Sequence, residues 1–230
     1  MSELVSISLG REAIYSFLSR SFMDPVNGNY FQQIESFLAL AENMKGSNEK
    51  LDAGLEMLKQ TVEKRNSLEG KELKEYDLDI LREYTMLFCM GSTVPTSESV
   101  YVSPKHLTMQ EPRDEMLALF REAGLGQNPK YNEPEDHIAN EMSIMAWYCH
   151  RTAQSIMSAG FAIEKDDSRQ IEENIDRQLH MHEAHFARWI SRFAADIYKI
   201  NRQAHFYDAV AMFMEGFLQE DYELVKEMKG

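Results

Sequence analysis

Residues 133–158 read EPEDHIANEMSIMAWYCHRTAQSIMS, and this stretch decides the fold class. Ile138, Met142, Met145, Ala146, Cys149, Ile156 and Met157 recur at the three- and four-residue spacing of one apolar helix face. The spacing predicts a long helix over about 134–158, stopped by Gly160. Pro134 suits its first position, because the fixed φ matches a helix and the missing N–H has no partner to lose there. Glu135 and Asp136 then fall in the first turn, where the helix dipole favours carboxylates. His137 can pair with either acid, which would raise its pKa and make it a local switch. Taken alone, these five residues make a well-formed helix start and require no function.

The same period continues outward in both directions. Towards the N-terminus it places helices at 8–22, 29–44, 49–66 and about 71–89, carried by residues such as Phe17, Ile34, Leu55, Ile80, Leu87 and Phe88. The stretch 91–104, GSTVPTSESVYVSP, breaks the pattern and reads as an ordered loop, the kind of segment that often carries function. A helix over 112–123 lies between Pro112 and Gly124. Beyond Gly160, the charged run 164–176 reads as a solvated helix face leading into a helix that ends near Ile200. A last helix starts near Asn201, and the acidic end reads as a short helix of its own. No period-two alternation and no long repeat competes. The expectation is all-α: one bundle-like domain of eight or nine helices. A hinge is placed in the loop 124–133, and its opening would let the two halves exchange between copies in a swapped homodimer.

Composition narrows the function. The 230 residues are 43% hydrophobic and 27% charged, with only 11 Gly and 6 Pro, as a helical globular chain requires. The net charge is −14 and basic residues do not cluster, which excludes nucleic acid and anionic membrane surfaces as partners. A basic peptide, by contrast, would be drawn in. Cys89 and Cys149 form no C-x-x-C pair, and reduced thiols are expected. The N-terminus lacks the pattern of a signal peptide, and no apolar run approaches the roughly 20 residues of a membrane span. A cytoplasmic protein is expected.

Chemistry is weakly marked. No histidine follows a Glu by three residues, as a di-iron bundle would need. His182 and His185 share a helix face with Trp189, but two ligands on one face bind metal only with help from elsewhere. No phosphate loop or nucleophile elbow occurs. Ser97 or Ser99 with Asp136 and His137 can be arranged as a triad only by choosing among common residues. No catalytic residue, metal ligand or cofactor is therefore assigned.

Five stretches together resemble the TorD/DmsD family of molybdoenzyme maturation chaperones, the group with the NarJ-like proteins. Glu133-Pro134-Glu135-Asp136-His137 resembles its E-P-x-D-H motif. Tyr84 to Phe88 followed by Gly91 resembles its aromatic-x-x-Leu-Phe helix end, and Pro95 to Tyr101 its P-x-x-E-S-x-Y loop. His185 to Trp189, with Phe193 beyond, resembles its H-L-x-x-W…F helix, and Phe206-Tyr207 its final helix. Position 188 is Arg where many relatives have Pro, and residues 43–72 are longer and more charged than the family pattern.

The resemblance implies a chaperone that makes no covalent change. It would bind the twin-arginine leader or the body of a molybdenum oxidoreductase catalytic subunit, and delay export until the cofactor is inserted. Carboxylates can grip the arginines, and an apolar groove can take the segment that follows. The expected groove joins the end of the fourth helix, the 91–104 loop and the start of the 134–158 helix. Leu87, Phe88 and Tyr101 would supply apolar surface, and Glu98, Ser99, Glu133, Pro134, Asp136 and His137 the rest of the contact. The alternatives are a binder of a nucleotide or molybdenum cofactor precursor, and a metal-dependent enzyme using His182 and His185.

Overall fold

The computed structural model describes residues 2–89, 93–126, 131–159, 165–200 and 203–229, with residues 2, 159 and 165–167 described by backbone alone. Among these residues the chain is helical, and the one β-type pairing is an isolated antiparallel bridge between Ser97 and His137. The helices are α1 (Ser2–Met23), α2 (Gly28–Ala41), α3 (Glu49–Asn66), α4 (Gly70–Tyr84), α5 (Glu98–Val102), α6 (Glu111–Glu122), α7 (Ile138–Ala159), α8 (Lys165–His180), α9 (Ala187–Lys199) and α10 (Phe206–Lys229). Wider π turns extend α4 over Thr85–Cys89 and join α8 to α9 over Met181–Phe186. No helix is long and apolar enough to cross a membrane among the described residues.

Contacts divide the chain into two units. The first comprises Met1–Ser19, Ser97–Arg188 and Asp221–Gly230, and the second Arg20–Thr96 and Trp189–Glu220. The loop 124–133 lies within the first unit, and its residues 127–130 lie outside the described residues.

In the second unit, α2 and α3 start where asparagines cap them. The Asn27 side chain accepts from the Tyr30 N–H at 3.2 Å, and that of Asn48 from Lys50 and Leu51 at 3.0 and 3.3 Å. The Glu83 carboxylate, only 1% exposed, caps α10 from a distance by accepting from the Phe206 and Tyr207 N–H groups at 3.0 and 3.1 Å. Phe22, Tyr84, Phe88, Phe193 and Tyr207 pack ring against ring in the core. In the first unit, α7 packs along α8, and Met142, Met145 and Cys149 face inward at the predicted spacing.

Several boundaries differ from the sequence expectation: α1 starts at Ser2 and not near residue 8, and α10 at Phe206 and not near Asn201. α7 begins at Ile138, not at Pro134; residues 135–136 form a turn and His137 pairs with Ser97. The 91–104 loop contains α5. The acidic end is not a separate helix, because Phe217, Asp221 and Val225 prolong the inward stripe of α10.

Candidate functional site

The site is built in the first unit, where the E-P-E-D-H stretch meets α5. The Glu98 N–H donates to the Asp136 carbonyl at 3.0 Å, and the Ser99 N–H to the Asp136 carboxylate at 2.8 Å. Asp136 therefore caps α5 and not the helix that follows it in sequence. The Ser99 hydroxyl accepts from the Gln110 N–H at 3.1 Å, while the Ser103 hydroxyl donates to the Ser99 carbonyl at 2.5 Å. His106 Nδ1 donates to the Val100 carbonyl at 2.9 Å. These bonds fix residues 97–110 as a clasp, and His106 and Met109 take positive φ within it. Two large apolar side chains project from the clasp: Leu107 is 57% exposed and Met109 58%.

His137 starts α7. Its carbonyl accepts from the Asn140 and Glu141 N–H groups at 2.8 and 3.0 Å, and its Nδ1 from the Ala139 N–H at 3.2 Å. An accepting Nδ1 places the proton of the neutral ring on Nε2. Burial pushes the imidazole pKa down to about 4, the reverse of the rise expected from pairing with its acidic neighbours. Burial raises the pKa of Asp136, against the hydrogen bonds from Ser99. Glu135 is taken up by Arg113, at 2.6 and 3.3 Å, and the Pro134 carbonyl accepts from the Asn140 amide at 2.7 Å.

Of the nine residues named from sequence, Glu98, Ser99, Asp136 and His137 come together directly. All four are buried, as is Tyr101. Glu133 is exposed and Pro134 half-buried. Leu87 and Phe88 belong to the second unit. There the Leu87 carbonyl accepts from the Val94 N–H at 2.9 Å, and Phe88 packs edge-on against Tyr207.

The two histidines expected to share a face go to different partners, because both stand in the π turn Met181–Phe186. His185 Nδ1 lies 2.7 Å from Glu98, with both side chains fully buried. His182 lies 2.9 Å from Asp221. Arg11 grips the same Asp221 at 2.5 and 2.9 Å and reaches Gln178 at 2.6 Å, while the Tyr15 hydroxyl donates to Asp221 at 2.6 Å. Burial opposes ionisation of Asp221, but Arg11 and His182 outweigh it and hold the carboxyl well below the usual carboxylate range. This network fastens α1 to α10 and to the end of α8.

Sequence reading missed Glu141, Arg113, Gln110, Arg11 and Asp221. A usable signal existed for three of them. Glu141 sits among Ile138, Met142 and Met145, Asp221 between Phe217 and Val225, and Arg11 one turn before Ile14 and Tyr15. A charge on an apolar stripe must be buried with a partner.

Comparison with known proteins accords with this architecture. The profile of the family described as nitrate reductase delta subunit matches residues 48–195. The chaperone protein TorD of Aliivibrio salmonicida is 24% identical over 98% of this chain and 99% of its own. That of Vibrio cholerae is 24% identical over 99% of this chain and 97% of its own. That of Psychrobacter is 21% identical over 66% of this chain and 64% of its own.

Proposed function

From the premise that the chain belongs to the nitrate reductase delta subunit family, which includes the TorD chaperones, we propose that it binds the twin-arginine leader of a molybdenum oxidoreductase catalytic subunit before export. Membership itself makes the chain a molybdoenzyme maturation chaperone and not an enzyme. The cytoplasm, where such leaders are made, is the proposed compartment.

The observation that carries the reading is the clasp. Asp136, Ser99 and Gln110 hold residues 97–110 so that exposed Leu107 and Met109 are followed closely in sequence by Glu111 and by Asp114, which Arg113 holds at 3.1 Å. Apolar side chains with carboxylates beside them complement a peptide that carries two guanidiniums and then an apolar segment. Glu133, exposed at the start of the motif, adds a further carboxylate. On this reading the buried Glu98, Ser99, Tyr101, Asp136 and His137 shape the surface, and their exposed neighbours touch the leader.

The test is titration calorimetry with synthetic leaders of the molybdenum oxidoreductases encoded in the same genome. One leader should bind at one per chain, and Leu107→Ser with Met109→Ser should weaken it about tenfold or more without changing the unfolding midpoint. No binding by any leader, or equal binding by the double variant, contradicts the reading.

A further inference from the structure

Glu98 on α5, Glu141 on α7 and His185 in the π turn come from three separate elements, and each is fully buried. One ligand atom from each lies within 4.8 Å of the others. Two carboxylates and an imidazole at this spacing form a donor set for a divalent transition metal. The His185 Nδ1 is engaged by Glu98 at 2.7 Å, while its Nε2 is buried without a hydrogen-bond partner. A metal in place of the Nδ1 proton would be shared by Nδ1 and Glu98, whose other oxygen, Oε1, is buried without a hydrogen-bond partner.

The geometry points to a divalent metal site at Glu98, Glu141 and His185, of the zinc or manganese class. The ion would neutralise two buried carboxylates and join α5, α7 and the π turn, setting the base of the clasp. With its ligands buried, it would stabilise structure and not catalyse. Arg188 approaches Glu98 at 3.5 Å and the surface Glu115 at 3.6 Å, so its cation competes with the metal for Glu98.

The test uses the full chain, purified without a histidine tag, stripped with chelator and titrated with Zn²⁺. One ion should bind per chain and raise the melting temperature in proportion to the logarithm of free metal. Glu141→Gln and His185→Gln should each weaken binding by about 10–100-fold. Removal of the surface histidines, His150→Ala with His205→Ala, should leave it unchanged, and Arg188→Ala should tighten it. X-ray absorption of the wild-type zinc form should show one imidazole with oxygen ligands, which decides the matter even where a variant fails to fold. No stoichiometric uptake, a sphere with sulfur or several imidazoles, or binding that survives both core variants overturns the proposal.

Discussion

His137 shows how one residue's environment reverses its expected chemistry. The acids before it in sequence suggest a raised pKa, yet Glu135 is occupied by Arg113 and Asp136 by α5. What remains is burial, which pushes the ring down to about 4 from its ordinary 6.5. The unfolded chain therefore binds more protons than the folded one between those values, and stability rises with pH across that window. It is complete above the ordinary value and is lost as the pH falls towards 4. The loss amounts to roughly 3 kcal/mol. Urea unfolding followed from pH 7.5 to pH 4.5 should show this slope, and His137→Asn, which keeps an acceptor for the Ala139 N–H, should flatten it. An unchanged slope in the variant would assign the pH dependence to other groups.

At the level of elements, local spacing sets where helices run but not which distant groups they meet. α3 begins and ends where the period places it, at Glu49–Asn66. α7 starts late for a reason that local spacing cannot contain: Asp136 and His137 pair with residues 97–99, some 37 positions earlier. The motif was thus legible as a marked stretch, but its pairing with residues 97–99 was not. The same holds for Glu83, whose role as the cap of α10 depends on a helix 123 residues away. The π turn is a further case, since regular helix spacing puts His182 and His185 on one face and the wider turn sends them to Asp221 and Glu98. Within the second unit, α3 and α10 cross through glycines. A Cβ at Gly54 would meet the backbone of Phe213, and one at Gly216 that of Leu51. Helix propensity alone predicts that Gly54→Ala stabilises by about 0.5–1 kcal/mol. The crossing predicts the opposite, a loss of at least about 2 kcal/mol as the helices are forced apart. The urea midpoint of Gly54→Ala decides the sign.

For the molecule as a whole, a net charge of −14 accords with the proposed reception of a basic, apolar peptide. Each unit has its own aromatic or methionine-rich core, and the family motifs fall in both of them. The buried polar centres in the first unit, Asp136 with Ser99, Glu98 with His185 and Asp221 with Arg11, hold the clasp and the helices beneath it. We propose that this chain holds a molybdenum oxidoreductase before its export. The most direct measurement is capture of the chain from its own cells, grown while they express such an enzyme, with mass spectrometry of what accompanies it. The expected companion is a catalytic subunit that still carries its twin-arginine leader, in near-equal amount with the chaperone. A chain recovered without any such subunit would contradict it.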